Sequence, residues 1–206
     1  MNEYVWLSDA RQDTRLIMPV ETDISIGNTE MAIRGEDLSS KGMHVPEDLC
    51  PKKIWLHDTK RKMRKMPDLF WAKGQWIVSE RAADIISGFS LGEGALYPVR
   101  EGVFQTDRET RLDGNYFCWT FGCVKDAFLP DMSKNLRKPA IPGLWWTLPG
   151  ALHDGDIAVS SQSAIGPDVW IDKMLFKSLF LSKSLGDALS EAELDKPFRI
   201  VKSYIS

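Results

Sequence analysis

Residues 77–87 and 180–190 align without a gap, and this internal similarity constrains the fold more than any other feature of the sequence. Serine, aspartate and serine recur at matched positions, and the apolar positions match in class. In both copies a β-prone apolar run reaches a serine, and apolar residues then follow at helical spacing. Ser79 and Ser182 are placed to accept a hydrogen bond from a free N–H group of the first helical turn. The pattern therefore predicts two similar strand-helix-strand units.

Short apolar runs elsewhere in the chain predict further strands at residues 3–7, 15–20, 54–57 and 156–160. The dipeptide Asp113-Gly114 separates two more β-prone runs, 102–106 and 115–122, and is typical of a tight hairpin turn. We expect these two runs to pair with each other as antiparallel strands.

The length and composition allow one large domain or two small ones. The chain has 206 residues, of which 43% are hydrophobic, and this is enough to bury a core. No low-complexity tract or flexible linker divides the chain. We expect an α+β fold in a single domain, residues 1–206, with a mixed or antiparallel sheet. The two similar units place pseudo-similar halves at 1–100 and 101–206.

Charge is distributed unevenly along the chain, although the formal net charge is only −3. Residues 1–50 contain ten acidic and four basic side chains, whereas residues 51–66 contain seven basic side chains and one acidic side chain. The basic run KRKMRK at 60–65 could contact phosphates, so a nucleic-acid or ligand-binding adaptor is one alternative function. A solvated linker or helix face is favoured, because no RNA-binding signature or interleaved aromatic residue accompanies the run. The small net charge also argues against a protein built mainly to hold nucleic acid or an anionic membrane.

Targeting signals are not apparent in the sequence. The first residues carry no positively charged segment followed by an apolar one, so we expect no signal peptide. No apolar run approaches the roughly 18 residues that a membrane-spanning helix requires. The cysteines number three, an odd count in a chain without export signals. We therefore expect a cytoplasmic protein with reduced thiols and no membrane partner.

Eight tryptophans are an unusual number for such a chain. Most are expected in the core, because large aromatic rings carry much of the apolar area of a core. Some could instead anchor a protein interface, where tryptophan is enriched. The adjacent Trp145 and Trp146 lie in a proline-containing segment, 130–149, that is typical of a long ordered loop. For this pair both interpretations remain open.

Catalytic and metal-binding patterns are scarce. The histidines His44, His57 and His153 have no neighbour at metal-ligand spacing. Cys118 and Cys123 lie in a predicted strand and would point to opposite faces. We therefore predict no catalytic residue, no metal ligand and no cofactor. An enzyme with a non-contiguous site, such as a cysteine beside a histidine, stays an alternative, because such partners need not be sequence neighbours.

The C-terminal third contains three short motifs, DVWID at 168–172, LFLS at 179–182 and LGDAL at 185–189. Together they resemble the closing signature of a bacterial family of polymorphic-toxin immunity proteins, immunity family eleven, first described as a domain of unknown function. The segments WIVSERA at 76–82 and YFCW at 116–119 are similar to the middle section of that family. The resemblance covers residues 68–206 and does not extend to the first 65 residues.

The resemblance implies a non-catalytic cytoplasmic protein that binds and neutralises a cognate toxin or effector encoded nearby. It transfers no catalytic residue to this chain. An immunity protein acts by burying a complementary surface over the toxin, so its specificity lies in side-chain shape and charge. We place the partner interface either in the acidic N-terminal region or at a set of residues in the C-terminal third. That set is Trp145, Trp146, Asp168 and Trp170.

Overall fold

A computed structural model of the protein describes residues 3–57, 62–137, 139, 141 and 144–206. The helices are α1 (Asp23–Gly27), α2 (Thr29–Ser40), α3 (Glu80–Ile86), α4 (Lys183–Glu191) and α5 (Asp195–Phe198). The strands are β1 (Tyr4–Ser8), β2 (Val20–Thr22), β3 (Lys53–Leu56), β4 (Leu69–Ala72), β5 (Gln75–Ser79), β6 (Leu96–Pro98), β7 (Gly102–Phe104), β8 (Tyr116–Trp119), β9 (Val124–Lys125), β10 (Trp146–Thr147), β11 (Ala158–Val159), β12 (Val169–Asp172), β13 (Leu175–Phe176), β14 (Leu179–Leu181) and β15 (Ile200–Ile205). Short 3-10 turns occur at Ala10–Gln12, Thr14–Leu16, Glu47–Leu49, Pro130–Met132 and Ser161–Ala164. The predicted α+β class with mixed and antiparallel sheets is confirmed.

The described residues form two compact units that are interleaved along the chain. Unit 1 is built from Met1–Asp13, Phe89–Gly92 and Cys123–Ser206, and unit 2 from Thr14–Gly88 and Glu93–Gly122. The division therefore does not follow the sequence halves 1–100 and 101–206. Each unit contains one of the two strand-helix motifs that the sequence analysis identified.

Unit 2 contains a four-stranded antiparallel sheet and a smaller mixed sheet. The strand order of the larger sheet is β4-β5-β8-β6, and α3 follows directly from β5. The smaller sheet has the order β2-β3-β7, in which β3 and β7 are parallel. Apolar residues of both sheets, including Ile54, Phe70 and Ile77, are fully buried in one core cluster. This burial is the main favourable contribution to the stability of the unit.

Unit 1 contains a six-stranded sheet with the order β11-β15-β1-β14-β12-β9. The four central strands, β15, β1, β14 and β12, are antiparallel to one another. The edge strands β11 and β9 run parallel to β15 and β12. A separate parallel pair is formed by β10 and β13. Trp170 and Phe180 stack in the core with ring centroids 5.4 Å apart. The helix α4 follows directly from β14.

The predicted repeat is present in both sheets. In unit 2 the pairs are Leu69 with Val78 and Val78 with Phe117, while in unit 1 they are Val169 with Leu181 and Leu181 with Trp6. These pairs place Ser79 and Ser182 at equivalent positions. The Ser79 hydroxyl accepts from the Ala82 N–H at 3.4 Å, and the Ser182 hydroxyl accepts from the Leu185 N–H at 3.2 Å. Both serines are therefore helix caps, as predicted.

The repeat extends beyond the capped helix to four strands in each unit. The order β4-β5-β8-β6 in unit 2 corresponds to β12-β14-β1-β15 in unit 1. In unit 2 the strand after the helix, β6, pairs with β8. In unit 1 the strand after the helix, β15, pairs with β1 in the equivalent way. The chain order differs, because β8 follows β6 in sequence whereas β1 precedes all other strands of unit 1. Unit 1 is thus a circularly permuted version of the same four-stranded arrangement.

Two expectations about local structure are wrong. β7 and β8 do not form a hairpin, since β7 pairs in parallel with β3 while β8 lies between β5 and β6. A shorter bend joins Phe104 to Arg111 instead, and Asp113 hydrogen bonds to Arg64 rather than closing a two-residue turn. The strand expected at 15–20 is a 3-10 turn at Thr14–Leu16, followed by β2. Long-range pairing overrides the local turn signal in the first case.

The two serine caps differ in one respect that predicts different effects of substitution. The Ser79 hydroxyl also donates to the Asp68 carboxylate at 2.6 Å, which is a charge-assisted hydrogen bond. We expect Ser182→Ala to lower the free energy of unfolding by about 1 kcal/mol. Ser79→Ala should lower it by about 2 kcal/mol, because Asp68 also loses a donor. Urea-induced unfolding measures both changes.

The matched control is Ser184→Ala in the first turn of α4. Ser184 is exposed, and its hydroxyl makes no hydrogen bond that is found among the described residues. Alanine has the higher helix propensity, so this variant should be neutral or slightly stabilised. Equal losses for Ser79→Ala and Ser182→Ala would contradict the additional role of the Asp68 hydrogen bond.

Candidate functional site

Unit 1 exposes a group of large apolar side chains around a stacked aromatic pair. The rings of Trp145 and Phe176 lie 5.6 Å apart at an interplanar angle of 29°. Trp145 is 56% exposed and Phe176 is 42% exposed. Ile141 and Leu144 are also exposed, and the Leu144 N–H donates to the Ile141 carbonyl at 3.2 Å. We call these four residues the aromatic face.

Strand alternation explains why one tryptophan of the pair is exposed and the other is not. Trp146 begins β10, and its N–H donates to the Met174 carbonyl at 2.8 Å beside β13. Its half-buried ring contacts Phe128 edge to face at 6.2 Å and packs against the core of unit 1. Successive side chains of an extended segment point to opposite sides. Trp145 is therefore directed away from the core that holds Trp146.

Asp172 fixes the connection that carries Phe176. This buried carboxylate accepts hydrogen bonds from the backbone N–H groups of Ala127 and Phe128 at 2.8 and 2.9 Å, and from that of Met174 at 2.9 Å. Burial raises the pKa of the Asp172 carboxyl, although these three N–H donors act in the opposite direction. At the far end of the connection, the Ser178 hydroxyl accepts a hydrogen bond from the backbone N–H of Asp172 at 3.1 Å.

Trp170 is a core residue, so the prediction that it belongs to the partner interface is wrong. Its side chain is 0% exposed, because its ring lies between the Phe180 ring and the Lys125 ammonium group. The Lys125 nitrogen lies 3.7 Å from the ring centroid and donates to the carbonyls of Ser163 and Pro167. A partner could reach Trp170 only after this part of unit 1 opened.

Asp168 is half-buried and serves the local structure of unit 1. Its carboxylate accepts from the Ser90 N–H at 2.8 Å, and its own N–H donates to the Ser90 carbonyl at 2.7 Å. Its carbonyl accepts from the N–H of the cap residue Ser182 at 2.7 Å. The structure therefore brings Trp145 and Trp146 together with Phe176, and it gives Asp168 contacts within the chain.

Among the described residues, five of the ten carboxylates of the acidic N-terminal region form ion pairs within their own unit. Asp9 and Asp13 both bind Arg199 in unit 1. In unit 2 the ion pairs are Glu21 with Lys73, Asp37 with Lys41, and Glu47 with Arg100. Ile26 and Ile33 are exposed near these acids, at the end of α1 and in α2. These five carboxylates therefore take part in ion pairs within the chain.

The structure describes residues 62–65 of the basic run at 60–65. Lys60 and Arg61 lie outside the described residues. Arg64 donates to the Asp113 carboxylate at 2.7 Å, and Lys65 forms a backbone bridge to the same residue. Lys62 is exposed. A nucleic-acid or ligand-binding adaptor therefore stays an alternative function, and no contact described for this run adds support to it.

The thiols have the properties of unreactive cysteines. Cys50 and Cys118 are buried in the core of unit 2, and Cys118 faces the Gln75 side-chain oxygen at 3.8 Å. Burial raises the pKa of the Cys118 thiol well above its ordinary value, and the neighbouring Cys50 adds to this effect. Burial also raises the pKa of the half-buried Cys123, against the opposing charge of Lys125. A protonated thiol is a poor nucleophile.

The described histidines and a hollow in unit 2 do not bring a nucleophile and an imidazole together. His44, His57 and His153 are exposed, and His44 contacts the Glu93 carbonyl at 2.8 Å. Within the described ranges, no group of three His, Cys, Asp or Glu side chains could hold a metal ion. A hollow of about 310 Å³ is lined by Asp68, Ser79 and Tyr116 among others, with neither a thiol nor an imidazole in its lining. Among the described helices, none is both long and apolar enough to cross a bilayer.

Sequence reasoning missed two residues that build the aromatic face, Phe176 and Asp172. Phe176 lies in the segment MLFKSLFL at 174–181, in which no local pattern shows which of the two phenylalanine rings is exposed. Asp172 does interrupt a β-prone apolar segment, and a lone carboxylate at the end of such a segment is typical of a residue that binds turn N–H groups. The role of Asp172 could therefore have been predicted from the sequence. The position of Phe176 could not, because it depends on the pairing of β13 with β10.

In comparisons with known proteins, the chain matches no protein-family model and no curated protein. The assignment of a function therefore depends on the residues of the chain itself.

Asp172→Asn should loosen the connection that carries Phe176. The amide has one accepting oxygen and a donating NH₂ group, so at least one of the N–H groups of Ala127, Phe128 and Met174 loses its acceptor. We expect the free energy of unfolding to fall by about 1 to 3 kcal/mol. Hydrogen exchange at these three amides should become faster. Asp126→Asn is the matched control, because its exposed ion pair with Lys173 should contribute only about 0.5 kcal/mol.

The raised pKa of Asp172 predicts a pH dependence of stability. The pKa of Asp172 in the folded state lies above its unfolded value of about 4, so the folded protein binds this proton more tightly. Proton binding by Asp172 therefore stabilises the fold fully below the unfolded pKa, and this stabilisation is lost as the pH rises through the folded pKa. The stability advantage of the wild type over Asp172→Asn should therefore be largest in acid and decrease with rising pH. Urea unfolding at a series of pH values measures it, and an advantage that grows with pH would contradict the direction of the shift.

Proposed function

We propose that this protein is a non-catalytic immunity protein that binds and neutralises a cognate bacterial toxin in the cytoplasm. We further propose that the aromatic face of unit 1 contacts the toxin. The family resemblance of residues 68–206 motivates the class of function, and the exposed Trp145–Phe176 stack supports the location of the contact.

The observation that carries the proposal is the exposure of two large stacked rings. A tryptophan ring that is 56% exposed leaves a large apolar area in water, and burying it against a partner is favourable. Tryptophan is also enriched among the residues that dominate binding energy at protein interfaces. The stack is held from below by β10, β13 and Asp172, so little side-chain freedom would be lost on binding.

The other features of the chain are compatible with a binding protein. Cys50 and Cys118 are buried, and burial raises the pKa of the Cys118 and Cys123 thiols. The hollow of about 310 Å³ in unit 2 is lined by neither a thiol nor an imidazole. An immunity protein needs a complementary surface and no reactive group. The acidic N-terminal region is a less favourable contact surface, because five of its ten carboxylates bind described cations of the same unit.

The test uses the product of the gene adjacent to the one that encodes this protein. We expect it to be a toxin that the wild-type protein binds and whose toxicity co-expression suppresses. Trp145→Ala and Phe176→Ala should each weaken binding by about 2 kcal/mol, or roughly 30-fold in Kd. Calorimetry measures the affinity, and growth of the co-expressing strain measures protection.

Ile165→Ala is the matched control for these variants. Ile165 is 63% exposed in unit 1, but it lies outside the aromatic face. Its replacement should leave binding and protection unchanged, and all three variants should unfold at the same urea concentration as the wild type. If no adjacent gene product binds, the immunity function is wrong. If the toxin binds and Trp145→Ala has no effect, the function stands and the contact lies elsewhere.

A further inference from the structure

The two sequence segments that contain the aromatic face are rich in basic residues. Residues 132–152 and 173–186, which include every residue of the face, contain six basic side chains and no carboxylate. The whole chain has a net charge of −3, so this local excess of positive charge is opposite to the overall balance. A surface with this composition attracts anionic groups at short range.

One of these cations lies next to the stacked rings, and a second belongs to a residue whose backbone pairs with β10. The Lys177 ammonium nitrogen is 5.5 Å from the centroid of the Phe176 ring. The Arg137 backbone forms a two-way hydrogen-bonded bridge with Thr147, the residue that follows Trp146. In the part of the chain that the structure describes, neither side chain forms an ion pair with a carboxylate. Lys173 and Lys183 differ, because they form ion pairs with Asp126 and Asp187.

We infer that the aromatic face binds a protein surface in which an exposed apolar side chain is surrounded by Asp and Glu residues. The apolar group packs on Trp145 and Phe176, and the carboxylates approach Arg137 and Lys177. Burial of the rings supplies affinity, while the charges supply orientation and speed of association. The identification of this partner as a toxin rests on the proposed function, whereas the chemistry of the surface does not.

Single-stranded nucleic acid is the competing occupant, since it combines negative charge with rings that stack. The contents of the face favour protein. One face of Trp145 is already covered by Phe176, and the remaining exposed residues, Ile141 and Leu144, are aliphatic. Nucleic-acid grooves instead provide free aromatic platforms along a track of cations. Aliphatic side chains beside a covered ring are typical of the centre of a protein interface.

Collisional quenching of Trp145 tests the local charge without any partner. Trp145 is the most exposed of the eight tryptophans, so the fluorescence difference between wild type and Trp145→Phe isolates it. We expect iodide to quench this component more strongly than caesium at low ionic strength, with the difference vanishing in high salt. The double variant Arg137→Glu and Lys177→Glu should reverse the order. Lys52→Glu combined with Lys196→Glu, two exposed positions outside the face, gives the same change in net charge and should not reverse it.

The same fluorescence signal tests the partner chemistry with defined probes on the full chain. We expect the peptide Glu-Glu-Phe-Leu-Glu-Glu to bind at least about tenfold more tightly than Lys-Lys-Phe-Leu-Lys-Lys at low salt. The double charge reversal should invert this preference, and the control pair should keep it. Equal binding of the two peptides overturns the inference, and so does tighter binding of a short oligodeoxythymidylate than of the acidic peptide.

The outcomes separate this inference from the proposed function. If the toxin binds and the charge reversal neither slows association nor changes its salt dependence, the immunity function stands and the inference is wrong. If the toxin does not bind but the acidic peptide is preferred and iodide quenches more strongly, the surface chemistry stands and the immunity function is wrong.

Discussion

Unit 1 depends on the position of β1 between β14 and β15. This N-terminal strand is hydrogen bonded on both sides, so without it the two neighbouring strands would each expose an unpaired edge. An ion-pair cluster secures its end, since the Arg199 guanidinium binds Asp9 through two nitrogens and Asp13 through the third. Arg199 has a positive φ of 51° directly after α5. Arg199 is the left-handed C-cap of α5, and its N–H donates to the carbonyls of Asp195 and Lys196.

The packing of α4 on β1 strengthens the same constraint. A Cβ atom at Gly186 would lie 1.9 Å from the Trp6 ring, so only glycine allows the helix to approach this closely. Asp187 then accepts from the Trp6 indole N–H at 2.9 Å and from the Tyr4 hydroxyl at 3.0 Å. Alanine occupies the position equivalent to Gly186 in unit 2, at Ala83. The glycine is thus required by the Trp6 ring and not by the repeat itself.

The parts of this fold that could be predicted from sequence are those in which local and long-range interactions agree. The capped helices after Ser79 and Ser182 follow from hydrophobic period and cap chemistry, both of which act within a few residues. The permuted position of β1 could not be predicted, because nothing in its own residues distinguishes an edge strand from a central one. The Asp113-Gly114 turn signal failed for a related reason, since β8 gains two partners by pairing with β5 and β6 instead.

The same distinction applies to the aromatic face. Trp145 could be identified as a candidate interface residue because it lies in a proline-containing loop. Trp170 is also a tryptophan, but it lies in a β-prone segment and is buried in the core. Composition alone does not separate the two tryptophans. Phe176 acquires its exposure from the parallel pairing of β13 with β10, a contact between segments that are distant in sequence. Such a contact leaves no local periodic pattern.

Comparison of the two units indicates why the aromatic face occurs in only one of them. In unit 2 the strands β4 and β5 are joined by Lys73 and Gly74 alone, both with positive φ, as a tight hairpin requires. The equivalent strands of unit 1, β12 and β14, are joined by residues 173–178, which include β13, Phe176 and Lys177. The four-stranded scaffold is the same, so the longer connection adds a surface without altering the strand pairing beneath it. A repeated scaffold can therefore gain an exposed apolar surface in one copy through a single strand connection. The buried Asp172 at the start of this longer connection accepts the hydrogen bond of the Met174 N–H within it.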